Sequence, residues 1–190
     1  MSQPIKTGRR HSGFTRAGDA RRKEKSCHSR GFSMAEIMVV VAIVAIMVAI
    51  AVPSFQKMRD QSRVNEFVNT LYMLRGAFQE YATMNRGYPA PAAAGVLPTG
   101  MTNFLPRGFD WTATTPLGGH WAWFSGFAGG YAYAISVIGG NGSPALADPS
   151  LFLQADQQLD DGNLSTGAFR SIWTGNWYVY VLQQNANQPW

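Results

Sequence analysis

The chain has 190 residues, room for one domain with appendages. Its formal charge is +5, but nine of the 16 Lys/Arg and two of the 11 Asp/Glu lie in residues 1–31. That segment is therefore +7 and the remaining 159 residues are −2, so the basic character belongs to an N-terminal arm and no nucleic-acid partner is expected. The single cysteine, Cys27, lies in the same arm, which excludes an intramolecular disulfide and a thiolate metal site.

Behind the arm, residues 37–52 (IMVVVAIVAIMVAIAV) are sixteen consecutive apolar residues, and extending back to Phe32 gives 21. A helix of about 21 residues spans roughly 30 Å, the thickness of a bilayer core. Positive charge ahead of the run favours a cytoplasmic N-terminus, with everything after Val52 on the far side. One carboxylate, Glu36, stands inside the run. An ionised acid within a membrane helix costs on the order of 2.5–3.5 kcal/mol, less near the interface, so it calls for a partner. A cleavable secretory signal would use Ala49-Ile50-Ala51 as its small-residue site, but the arm and apolar run are both long for one. A plain signal anchor leaves Glu36 unexplained.

The stretch RGFSMAEIMVVV resembles the N-terminal signal of type IV pilins and type II secretion pseudopilins. In that family a prepilin peptidase cuts after a glycine on the cytoplasmic side, and the new N-terminal residue, usually Phe, is N-methylated. A Glu stands fifth in the mature chain and a Pro commonly twenty-second. Gly31, Phe32, Glu36 and Pro53 occupy those positions here, behind a leader longer than many in the family. The resemblance implies that the Phe32 amine of one subunit pairs with Glu36 of a neighbour as a helical filament grows. Pro53 removes a backbone donor and can kink or loosen the helix.

Next, residues 54–89 place Val64, Phe67, Val68, Leu71, Leu74, Phe78, Tyr81 and Ala82 at helical spacing, with charges on other faces. This predicts an amphipathic helix ending near Asn85-Arg86-Gly87, with Pro89 beyond. Residues 90–120 read as a structured loop packed by Phe104, Leu105, Phe109 and Trp111. Strands are predicted at His120–Phe124, Tyr131–Ile138, Ala168–Trp173 and Trp177–Leu182. Gly139–Gly142 and Asp160–Asn163 read as turns, and Thr174-Gly175-Asn176 as a hairpin loop. Asp148 and Pro149 suit the N-cap and first position of a short helix through about Leu159.

The fold class expected is thus α+β and pilin-like: a long N-terminal helix, half membrane-type and half amphipathic, packed on a small antiparallel sheet. The expected domains are a cleaved basic leader at 1–31, a transmembrane or filament-core helix at 32–53, a stem helix at 54–89 and a head at 90–190.

Enzymatic chemistry is not expected. His120 is the one histidine after the leader, and no phosphate loop or nucleophile set appears. In DQQLDDGNLSTG, residues 156–167, Asp156, Asp160, Asp161, Asn163 and Ser165 offer hard oxygen ligands of the kind Ca²⁺ takes, though not at EF-hand spacing. The plain alternative is a solvated turn. Major pseudopilins bind calcium in a C-terminal loop, which this segment resembles loosely. Nine aromatic residues between Phe104 and Tyr133 could bind sugar or a partner, or simply fill a small core.

The resemblance implies a structural subunit of a type II secretion pseudopilus. The Gly87-Tyr88-Pro89 helix end, the acidic turn and the lack of the C-terminal cysteine pair common in major type IV pilins favour it over a surface fibre for adhesion, motility or DNA uptake. A membrane-anchored binder using the aromatic head is the alternative of another class. Expected partners are the prepilin peptidase, copies of the chain and other pilin-like subunits, an inner-membrane assembly platform and membrane lipid. The expected location is the inner membrane with the head periplasmic, then a periplasmic or extracellular filament.

Overall fold

The computed structural model describes residues 31–127, 131–140, 142–172 and 175–184. The arm before Gly31, with Cys27, lies outside the described residues, as do Asn141, Trp173 and Thr174 of the expected turns and strand end. Two units are distinguished, residues 1–44 and 45–190.

In the first unit the described chain is the start of α1, a helix running Met34–Asn85. Ser33 precedes it, and every residue from 31 to 44 is exposed. By length and composition α1 is able to cross a membrane.

In the second unit α1 continues through Pro53 and remains exposed as far as Arg59. Then the helix becomes one-sided: Val64, Phe67, Val68, Leu71, Leu74, Ala77 and Phe78 are buried. Six of these are positions that the sequence spacing predicts; Ala77 joins them three residues, about one turn, after Leu74. Tyr81 and Ala82 are half-buried, and Tyr81 meets Phe104 edge-on at 5.2 Å. The helix stops at Asn85 because Arg86 turns left-handed, with φ 56°. The Gly87 N–H then donates to the Ala82 carbonyl at 3.0 Å, satisfying one carbonyl of the last turn.

Among the described residues four strands follow: β1 His120–Phe127, β2 Tyr131–Ile138, β3 Phe169–Ile172 and β4 Trp177–Gln184. They form one antiparallel sheet in the order β1-β2-β4-β3. Alternation puts Trp121, Trp123, Ile135, Val137, Phe169, Tyr178 and Tyr180 into the core shared with α1. The opposite face holds Tyr131, Ala134, Val179 and Val181 in a second, smaller cluster. Register matches this division, with Trp121 opposite Val137, Trp123 opposite Ile135 and Val137 opposite Tyr178.

β1 is longer than its sequence predicts because Ser125 and Phe127 pair with Tyr133 and Tyr131, and cross-strand pairing overrides local propensity. The structured loop before it does more than pack. Ala92 exchanges both backbone hydrogen bonds with Trp123, at 3.0 and 3.3 Å, and the Gly95 N–H donates to the Trp121 carbonyl at 2.8 Å. The loop therefore covers part of the free edge of β1, where unpaired backbone would otherwise invite other strands. Gly118, at φ 83°, passes so close to the Ala145 carbonyl that a Cβ there would overlap it.

The short helix α2, Pro149–Leu159, begins as its sequence predicts, with Asp148 Oδ1 accepting from the Ser150 N–H at 2.8 Å. Its Leu151, Phe152, Ala155 and Asp156 are buried. Phe152 lies parallel to Tyr178 at 3.8 Å between ring centroids and edge-on to Phe67 at 5.8 Å. α2 thus ties the helical face to the sheet, and three of its four buried residues are apolar. Asp156 is the exception.

Candidate functional site

Two acidic positions stand out, one in each unit. The first is Glu36, in the opening turn of α1. The Glu36 N–H donates to Ser33 Oγ at 3.1 Å, and the Ile37 N–H donates to the Ser33 carbonyl at 3.2 Å. Ser33 is therefore the N-cap, and Ser-x-x-Glu has capping-box spacing. This was legible as a motif ahead of an apolar run, and it gives Glu36 a local role. An acid in the first turn also faces the positive end of the helix dipole. Gly31 and Phe32 come just before this cap; Phe32 is 74% exposed, and a Cβ on Gly31 would meet nothing among the described residues. A bond opened between them would leave an amine four residues from the Glu36 carboxylate, on the same exposed segment.

The second position is where α2 ends. Asp156 is fully buried, and neither carboxylate oxygen has a hydrogen-bond partner among the described residues. An oxygen of each of Asp156, Asp160 and Asp161 lies within 4.8 Å of the others. Burial pushes the Asp156 carboxyl up to about 6, with the charges of Asp161 and then Asp160 adding to it. The N–H groups of Asn163 and Gly162 pull it partly back without reaching hydrogen-bond geometry. Asp161 moves the other way: the Thr166 hydroxyl, which donates to Oδ2 at 2.6 Å, and the Asn163 N–H hold it below its ordinary value.

The loop is built to hold these groups. Asp160 Oδ2 accepts from the Ala168 N–H, and Gly167, at φ 78°, approaches that oxygen so closely that any Cβ would collide with it. The three carboxylates therefore converge through backbone constraints, while Asn163 and Ser165 bond within the loop: Asn163 Oδ1 accepts the Ser165 N–H at 3.1 Å. A buried carboxylate with no donor, beside two more, fits a hard divalent cation, which would supply the missing charge and accept oxygen ligands. Asp156, Asp160 and Asp161 would hold it.

The aromatic head is a core. Trp111, Trp121 and Trp123 are no more than 2% exposed, so they offer no platform to a sugar or partner. Trp123 Nε1 donates to the Pro89 carbonyl at 3.0 Å, which joins the stem's end to β1. His120 is half-buried with Nδ1 3.3 Å from Ser143 Oγ, a structural setting. Two stem cations carry weight that sequence reasoning missed: Arg63 Nε donates to the Pro116 carbonyl at 2.8 Å, and Arg75 Nη1 donates to the Tyr180 hydroxyl at 3.1 Å. Helical periodicity marks both only as surface residues.

The family model for the prokaryotic N-terminal methylation motif matches residues 27–52. The chain is 38% identical over 71 residues to the fimbrial protein EcpC of Eikenella corrodens, a match covering 37% of this chain and 46% of that protein. The chain thus spans less than half the length of that curated relative. No solved structure matches it significantly. The apolar helix with its early glutamate, the methylation motif and the fimbrial likeness are together what this chain shares with type IV pilins.

Proposed function

We propose that the chain is a structural filament subunit, cut by a prepilin peptidase between Gly31 and Phe32 and N-methylated on Phe32. The observation that carries this is the first stretch of α1, exposed throughout yet apolar except for Glu36. Apolar surface of that extent needs lipid before assembly and neighbouring subunits after it. In such a bundle the dielectric is low, and an unpaired carboxylate attracts the cationic amine at Phe32 of the next copy. The precursor sits in the inner membrane with the head periplasmic, and an assembly platform there draws it into a helical filament.

Of the two filament types, the absence of cysteine after Gly31 and the acidic loop support a type II secretion pseudopilus. The fimbrial relative supports a surface fibre. Deleting the gene in its own host separates them: loss of exported enzymes with surface fibres intact supports the first, and the reverse supports the second. N-terminal sequencing tests the common part. The mature chain should begin with N-methyl-phenylalanine at Phe32; a start at Val52 would make the segment an ordinary signal peptide and sink the filament reading.

The loop at Asp156, Asp160 and Asp161 is proposed to bind Ca²⁺ as a structural ion that fixes the end of α2 against β3. Adding calcium to chelated protein should raise its melting temperature, and an unchanged melting temperature would remove the ion from this account.

A further inference from the structure

We infer that Asn163 is an acceptor for an N-linked oligosaccharide on the exported face of the protein. Asn163-Leu164-Ser165 is an N-x-S tripeptide without proline, the acceptor pattern for this modification. Asn141-Gly142-Ser143 has the same pattern, but Asn141 lies outside the described residues. At Asn163 the structure adds three observations to the motif. The residue is exposed, as is Ser165, in the loop between α2 and β3. Its Oδ1 accepts the Ser165 N–H at 3.1 Å, an Asx turn that brings the serine back over the amide. Its own N–H donates to Asp161 Oδ1 at 2.9 Å, so the backbone before the acceptor is also held.

This leaves the Nδ2 amide nitrogen and the Ser165 hydroxyl without a hydrogen bond among the described residues. The group that must react and the group that must be recognised are thus both free to meet an enzyme. The amide oxygen, already bonded, fixes which way the amide is presented. Nothing in the fold needs to open first, since neither residue contributes to the core.

The step is a glycosyl transfer from a lipid-diphosphate-linked oligosaccharide, catalysed by a membrane oligosaccharyltransferase. Nδ2 attacks the anomeric carbon and a C–N bond forms. The bond from that carbon to the diphosphate oxygen breaks, and the lipid diphosphate leaves with the electron pair. One Nδ2 proton passes to a base of the transferase. No oxidation or reduction occurs. The inference rests on the proposed topology, because donor and enzyme act on the exported side.

The test is mass spectrometry of the protein isolated from the cells that make it. The peptide containing Asn163 should carry a mass increment of whole sugar residues, with sugar fragment ions, and N163Q and S165A should abolish it while S165T keeps it. A chain that begins at Phe32 with an unmodified Asn163 overturns the inference and leaves the filament reading standing. A glycan at Asn163 on a chain not cut at Phe32 upholds it and counts against that reading. Sugar attached only at Ser165 or elsewhere also overturns it.

Discussion

Phe78 of α1 and Trp123 of β1 stack with ring centroids 4.0 Å apart and planes 20° from parallel, and both side chains are fully buried. Trp123 also lies parallel to Tyr133 at 6.0 Å. One indole therefore holds the stem helix, the sheet and, through its bond to Pro89, the helix exit. Replacing Trp123 by alanine should destabilise the full chain by about 3–5 kcal/mol, from lost burial plus a cavity. Trp123→Phe should cost less, because stacking survives while the Pro89 carbonyl loses its donor, about 1–3 kcal/mol. Denaturant midpoints of the detergent-solubilised protein would check the order; equal losses for both variants would mean that the bond, not the ring, matters.

Asp156 predicts an unusual pH dependence. Its carboxyl titrates near 6 when folded, above the ordinary 3.8, because burial and two neighbouring acids oppose its charge. Between these values the folded state keeps a proton that the unfolded state has released. Stability from this group is therefore greatest below pH 4, declines as pH rises through the window, and levels off above about 6. The loss is on the order of 2–3 kcal/mol. Asp156→Asn should remove the decline and raise the melting temperature at pH 7 in chelator. Calcium should restore the wild type, by about 2.7 kcal/mol at a hundredfold excess over Kd, and leave the variant unmoved. A variant that still responds to calcium would show that the ion sits elsewhere.

Arg86 offers a gain rather than a loss. It holds φ 56° at the end of α1, where a side chain is disfavoured and glycine is not, and it is exposed. Gly87, beside it, has no such angle. Arg86→Gly should stabilise by up to about 1 kcal/mol, offset in part by the freedom glycine adds to the unfolded chain. A rise in thermal midpoint of a few degrees is expected; a fall would show that the arginine side chain contributes a contact of its own.

These cases show which kinds of information were local. The face of α1 from Val64 to Phe78 was legible because helix burial repeats at 3.6 residues, and the cap of α2 because Asp148 and Pro149 act within one turn. Strand β2 was legible from its own β-branched and aromatic residues. The order β1-β2-β4-β3 was not, since pairing β2 with β4 spans all of α2 and β3 and depends on which faces remain uncovered. Arg63 and Arg75 were misjudged for the same reason: their acceptors, Pro116 and Tyr180, are 53 and 105 residues away. At the acidic loop, residue type pointed to oxygen donors, but only the fold shows that Asp156 faces inward while Asp160 and Asp161 are exposed.

Glu36 now carries two separable roles, and two substitutions tell them apart. Three residues after the Ser33 cap, at capping-box spacing, its backbone N–H is held by Ser33 Oγ and its carboxylate lies in the first turn of α1. As an ionised acid in an apolar segment, it is proposed to recruit the amine of the next subunit. Glutamine fits the capping box as well as glutamate does but has no charge. Glu36→Gln should therefore leave the helix start and cleavage after Gly31 intact, yet cut filament yield at least tenfold. Glu36→Ala should lose assembly as well and fray the first turn, a cost of about 1 kcal/mol. Filament yield by sedimentation, beside mass analysis of the N-terminus, reads both effects in one preparation. If Glu36→Gln assembles as the wild type does, the charge is dispensable, and the acid is there to start the helix.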